Sequence, residues 1–167
     1  MGTPFVQNSQ IVSGFVPVDM QTGANTGDWV SVENFNHVSI VLFKGAGTAG
    51  DDPTLTVLQA TDAAGTSSKA LNFTRVYTKQ GTLTGIANFT LTTQSAANTY
   101  TDATSAEVTA IWVVEFDADD LDVSGGFTHV QASVGDVGSN AQLGACLYLA
   151  TEPRYAAAVA DATSAIS

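Results

Sequence analysis

Basic residues are scarce in this chain of 167 residues: five Lys and Arg stand against sixteen Asp and Glu, a formal net charge of −11. Such a chain lacks the positive footprint that phosphate backbones require, so nucleic acid is not expected as a partner. Anionic membrane surfaces repel it too. Charge of either sign is thin, at 13% of residues, where globular chains average roughly 25%. Long helices laced with i,i+4 ion pairs need more than that. The single cysteine, Cys146, rules out an internal disulfide. It sits in the apolar run LGACLYLA and reads as a buried small hydrophobe. There are two histidines, His37 and His129. With no HExxH, paired-His or CxxC spacing, they leave no pattern for a transition-metal site. No run approaches the ~20 apolar residues of a membrane helix. The start, MGTPFVQNSQ, has neither a basic n-region nor an apolar h-region, so the expectation is a soluble product made in a cytoplasm.

What is present favours pleated sheet. Hydrophobic residues make up 44% of the chain, and the Thr and Val load suits strands. The organising stretch is His37 to Phe73. HVSIVLFK is followed by a Gly-rich turn, Gly45 to Pro53, then TLTVLQATD, the turn AAGTSS, and a third run beginning at Ala70. Strand and turn alternate, as in an antiparallel sheet. The centre of the first run, Ile40-Val41-Leu42-Phe43, is apolar on both faces. Such a strand sits mid-sheet or has one face against a partner. In ALNFTRVYTK, alternation puts Leu71, Phe73, Arg75 and Tyr77 on one face. Further strands are expected at Ile11–Val18, Trp29–Glu33, Ile86–Thr92, Glu107–Phe116, Phe127–Val134 and Gln142–Thr151, with a polar loop over Thr93–Ser105. Pro17 marks Ile11–Val18 as an edge strand.

About nine strands with regular turn signals predict an all-β fold, a single-domain antiparallel β-sandwich of jelly-roll-like type. The expected boundaries are an N-terminal arm at 1–10, the sandwich at 11–152 and a C-terminal tail at 153–167, both ends being flexible. The expected core includes Ile40, Leu42, Val57, Phe73, Phe89, Ile111, Val113 and Leu147. Trp29 and Tyr155, near segment ends, are the aromatics expected at the surface.

Three motifs invite a chemical reading. Gly45-Ala46-Gly47-Thr48-Ala49-Gly50 is a literal GxGxxG after a strand. Dinucleotide binding needs a helix to start inside such a loop. Here Asp51-Asp52-Pro53 and a β-prone run follow, so a plain inter-strand loop with no nucleotide is expected. Asp117, Asp119, Asp120 and Asp122 form the densest acidic cluster, and oxygen-rich loops suit calcium. An EF-hand aligned on Asp117 fails, with Leu121 at the fifth position and Asp122 where Gly is needed. The expectation is a solvated loop and no metal. A Ser-His-Asp triad needs no closeness in sequence, but no G-x-S-x-G marks a nucleophile. No catalytic residue, cofactor or enzyme activity is expected.

The stretches VSIVLFKGAGTAGDDPTLTVLQATDAAGTSSKALNF, VVEFDADDLDVSGGF and LGACLYLATEPRYA resemble small virion structural proteins of tailed bacteriophages, encoded beside the capsid genes. They lie within residues 35–156. The resemblance implies a capsid decoration, or cement, role on the outer surface of the head, after synthesis in the host bacterial cytoplasm. It implies the major capsid protein of the same phage as partner. By analogy with other decoration proteins it implies a homo-oligomer, with a trimer favoured. It supplies no active-site residues. The end segments carry the candidate contacts: Phe5, Val6, Ile11 and Val12 at one end, Arg154 and Tyr155 at the other. The alternatives are a tail or head-fibre component, and a receptor- or carbohydrate-binding sandwich, which needs an exposed aromatic cluster.

Overall fold

The structure, a computed structural model, describes residues 4–81, 83, 88–103 and 108–155. Most of these lie in antiparallel strands, and two sheets pack as a sandwich. The strands are β1 (Ser9–Asp19), β2 (Asn25–Thr26), β3 (Val30–Ser31), β4 (Phe35–Lys44), β5 (Thr54–Ala60), β6 (Lys69–Ala70), β7 (Phe73–Gln80), β8 (Thr90–Ala97), β9 (Thr99–Thr101), β10 (Ala110–Asp117), β11 (His129–Val134) and β12 (Leu143–Pro153). One sheet runs β1-β12-β4-β10-β7-β8. The other runs β2-β11-β5-β6, with β3 also on β11 and β9 also on β5. The helical elements among the described residues are three-residue 3-10 turns.

Alternation builds both inner faces. Val38, Ile40 and Leu42 of β4, Trp112, Val114 and Phe116 of β10, and Cys146 and Tyr148 of β12 point into the core. Leu55 and Val57 of β5 and Val130, Ala132 and Val134 of β11 meet them from the other sheet. Trp112 packs edge-on to Tyr100 at 4.9 Å, and Phe73 edge-on to Phe116 at 6.1 Å. The Tyr148 hydroxyl pins the layers together. It accepts from the Ala132 N–H at 2.8 Å and donates to the Asp28 carbonyl at 3.1 Å. Gly27 lies against the same point: a Cβ there would stand 2.5 Å from the Ala132 carbonyl oxygen.

Several expectations are corrected. Ile40, Leu42, Val57 and Phe73 are buried, but Phe89 and Leu147 are exposed and Ile111 and Val113 are only half-buried. On β10 and β12 it is the other alternating set, Trp112, Val114, Phe116, Cys146 and Tyr148, that faces the core. In β7 the pairing with β8 shifts between Phe73 and Arg75. The extra residues of that shift lie in β8, between Thr93 and Ala97, and across it β7 changes side, so Val76 and Thr78 are buried while Arg75 is exposed. Thr93–Ser105 is not simply a loop: β8 continues to Ala97 and β9 follows at Thr99. Threonines suit a ladder even without large apolar side chains. Trp29 is half-buried, packed against Gly65, whereas Tyr155 is exposed. Ile86 and Ala87, Glu107, and the tail from Ala156 to Ser167 lie outside the described residues.

Candidate interaction surface

The outer face of the β1-β12-β4-β10-β7-β8 sheet, hereafter the six-stranded sheet, is largely apolar from β12 to β8. Register places Ser13 opposite Leu147, Leu147 opposite Val41, Val41 opposite Val113, Val113 opposite Tyr77, and Tyr77 opposite Leu91. A second row sets Ala145, Phe43, Ile111 and Lys79 side by side. Ile11 stands opposite Leu149 at the β1 edge. Phe43 is 51% exposed, Leu91 47% and Leu143 64%. Single exposed apolar residues need no explanation, but contiguous rows of them mark an interaction surface. Tyr77, Phe89, Val113 and Glu115 line a dimple of about 230 Å³ in this face. The face is also close to neutral. Arg75 of β7 and Glu115 of β10 line one hollow, Lys79 stands opposite Ile111, and Asp117 lies at the far end of β10 opposite His37, in a chain of net charge −11.

One end of the face is polar. His37 Nδ1 lies 2.9 Å from Asp117 Oδ1, and Ser39 Oγ lies 3.4 Å from His37 Nε2. Glu115 is close to both, 3.4 Å from the Ser39 hydroxyl, from which it accepts, and 3.7 Å from His37 Nε2. The order Ser, His, Asp is that of a catalytic relay. The surroundings do not complete one. An acyl-transfer site also needs free N–H donors aimed at a developing oxyanion. β4 is paired on both sides, with Ser39 opposite Leu149 and Glu115, so the N–H groups here are engaged in ladders. The cluster reads as a hydrogen-bonded polar rim on the apolar face.

The other sequence-nominated positions are structural. The Gly45–Pro53 segment joins β4 to β5, and Asp51 ties it to Asn140 through hydrogen bonds of 2.8 and 3.0 Å. In the acidic cluster, Asp117 and Asp120 form a capping box around the turn Ala118–Asp120. Asp122 caps the next turn, accepting from Ser124 and Gly125 at 2.9 Å each, and pairs with Lys69. The Lys69 hydrogen bond, with the Ser124 and Gly125 bonds, pulls the Asp122 carboxyl down to about 2. Among the described residues no group of three His, Cys, Asp or Glu is arranged to hold a metal ion. Cys146 is fully buried, and burial pushes its thiol up to about 12, an inert state. Burial also lowers the pKa of His129, whose Nδ1 lies 2.9 Å from the Thr128 hydroxyl.

The candidate contact residues fall at one corner. Ser9 is opposite Thr151, so the turn Phe5–Gln7 and the residues Arg154 and Tyr155 flank the same end of the β1–β12 ladder. Phe5, Val6, Ile11 and Tyr155 are exposed. Arg154 is tethered, its N–H to Asn34 O at 2.9 Å and its Nε to Asn36 Oδ1 at 3.1 Å. Val12 pairs with inward-facing Tyr148 and packs, partly buried, on the core. Sequence reading missed the rest of the face, although the run Ile40–Phe43, apolar on both sides, was the signal for it.

Comparison with protein-family models, with curated proteins and with solved structures finds no match for this chain.

Proposed function

We propose that this protein is a non-enzymatic structural component of a tailed-phage particle, decorating and stabilising the head by docking on the major capsid protein. The observation that supports it is the open apolar face of the six-stranded sheet, running from Leu147 through Val41 and Val113 to Leu91. A face of this composition loses water-exposed apolar area when covered, at ~25 cal/mol per Å². Its near-neutral charge lets an acidic protein approach a partner without self-defeating repulsion. Many copies on a lattice gain from avidity, so each contact can be weak. The phage setting comes from the sequence resemblance alone.

The test adds purified protein to undecorated heads. Phe43→Asp and Val113→Asp, each a charge placed on the outer face, are expected to abolish sedimentation with heads while leaving the circular dichroism unchanged. Undiminished binding by both variants overturns the face as the docking site. Presence of the wild-type chain in tails and not in heads overturns decoration. Tyr77 and Phe89 on one dimple also favour a carbohydrate-binding reading. Glycan binding lost in Phe89→Ala, with no affinity for heads, would establish that alternative.

A further inference from the structure

The two edges of the six-stranded sheet differ. Open edges are templates for further strands, and proteins blunt the ones they do not use. β1 is blunted. Its register with β12 shifts twice, between Ser13 and Phe15 and between Phe15 and Val18. Pro17 removes a donor, and the Gly14 carbonyl is taken by the Asp28 N–H at 3.0 Å. β8, at the opposite edge, carries one register shift, between Thr93 and Ala97, but exposed and half-buried residues alternate along it from Leu91 to Ser95. Its sequence, TLTTQSAA, holds no charge, no Pro and no Gly. Its ladder neighbour among the described residues is β7, on one side. Leu91, Thr93 and Ser95 are exposed.

We propose that β8 pairs with β8 of a second copy of this chain, antiparallel about a twofold axis, joining two six-stranded sheets into one. Three observations carry the choice of occupant. An uncharged strand in a chain of net charge −11 is where two copies meet with least repulsion. An antiparallel pair of identical strands is self-complementary, as a twofold interface must be. The apolar row of the outer face ends at Leu91, on this strand, so pairing here makes the two rows continuous. The main-chain groups of the free edge gain partners, the usual source of affinity in strand addition. Each sheet face stays on its own side under a twofold normal to the sheet. Residues opposite one another must therefore share a side, and the axis passes through a residue and not between two. With the axis at Thr93, Thr93 faces its own copy and Leu91 faces Ser95. Cross-strand Thr–Thr pairs are favourable. The pairing holds whatever the outer face binds.

Charge exchange at Thr93 tests it. Wild-type protein is expected to sediment as a dimer at tens of micromolar or below. Thr93→Lys and Thr93→Glu, each placing like charges across the axis, are expected to weaken that dimer by roughly fivefold or more. An equal mixture of the two variants is expected to restore it. Thr93→Cys is expected to form a covalent dimer on mild oxidation, since directly opposite Cβ atoms come within reach of a disulfide and Cys146 is buried. A monomeric or trimeric wild type overturns the proposal. So does a Thr93→Lys dimer as tight as wild type. Phe43→Asp serves as control: it is expected to lose head binding and keep the dimer, so failure of one proposal is distinguishable from failure of the other.

Discussion

The two faces of the six-stranded sheet are almost equally apolar, and only one is covered. Inward stand Val38, Ile40, Leu42, Trp112, Val114, Phe116, Cys146 and Tyr148; outward stand Val41, Phe43, Ile111, Val113, Leu147 and Leu149. The inner set holds the largest side chains, Trp112 and Tyr148, interlocked with Tyr100 and Ala132. The outer set is aliphatic with Phe43 and carries a polar rim at His37. The inner face shows interlocking shape and the paired Tyr148 hydroxyl, although the buried Trp112 indole N–H has no hydrogen-bond partner, whereas a docking face shows hydrophobicity without interlock. The comparison makes a graded set of expectations.

The largest effect is expected from truncating the inner face. Leu42→Ala and Trp112→Ala should each cost about 3–5 kcal/mol, through lost burial and the cavity left behind. Val113→Ala, one residue away on the other face, should cost under about 1 kcal/mol. Urea unfolding midpoints measure all three. A Val113→Ala cost equal to that of Trp112→Ala would mean that the outer face is covered in solution, and would break the comparison.

Next comes Tyr148→Phe. It removes one oxygen from a fully buried site and strands the Ala132 N–H. The expected loss is about 1–3 kcal/mol, read from thermal or urea unfolding. Leu147→Phe, its outward neighbour on β12, is expected to change stability by less than about 0.5 kcal/mol. The pair isolates what the polar handle adds, since both variants leave an aromatic ring on the same strand.

Much of the fold is legible in the sequence, because strand and turn signals are local. Ile40 and Leu42 were placed correctly since β4 is central and its pattern is unbroken. Ile111, Val113 and Leu147 were not, since both alternating sets of β10 and β12 are apolar, and Phe89, just before the edge strand β8, is exposed. Which set is covered depends on where the second sheet lies, a non-local fact. The face switch in β7 accompanies a register shift whose extra residues lie in β8, and such a shift leaves no mark in composition. The polar rim was equally hidden. His37 and Asp117 are 80 residues apart and meet through the β4–β10 ladder. Of the candidate surface, the sequence showed one element, the doubly apolar Ile40–Phe43. Assembling it into a face required the register of six strands.

A third expectation concerns the exposed set alone. Leu147→Ser and Leu91→Ser, each removing exposed apolar area, should leave unfolding midpoints within about 0.5 kcal/mol of wild type. Both should lower binding of a hydrophobic dye to the folded protein. A core residue behaves the opposite way: its loss destabilises and increases dye binding. Unchanged dye binding in both variants would show that the patch is not the dominant exposed apolar surface.

The smallest effect is expected outside both faces, at Asp122. The carboxyl groups of Asp62 and Asp122, both held below their ordinary range, lie in loops. The Lys69 hydrogen bond leads the causes that hold the Asp122 carboxyl at about 2, below its ordinary 3.8. The folded pKa is lower than the unfolded one, so the unfolded state binds the proton more readily. The contribution is therefore present above about 3.8 and is lost as pH falls through about 2. Asp122→Asn removes it at every pH. Its melting temperature is expected slightly below wild type at neutral pH, with the gap closing between about pH 4 and pH 2. The pair is exposed and salt screens it, so the gap should also narrow at high ionic strength. Val113→Ala and Leu147→Ser, having no charge at stake, should track wild type across the same range. A gap for Asp122→Asn that stays constant down to pH 2 would assign its effect to the turn it caps and not to its charge.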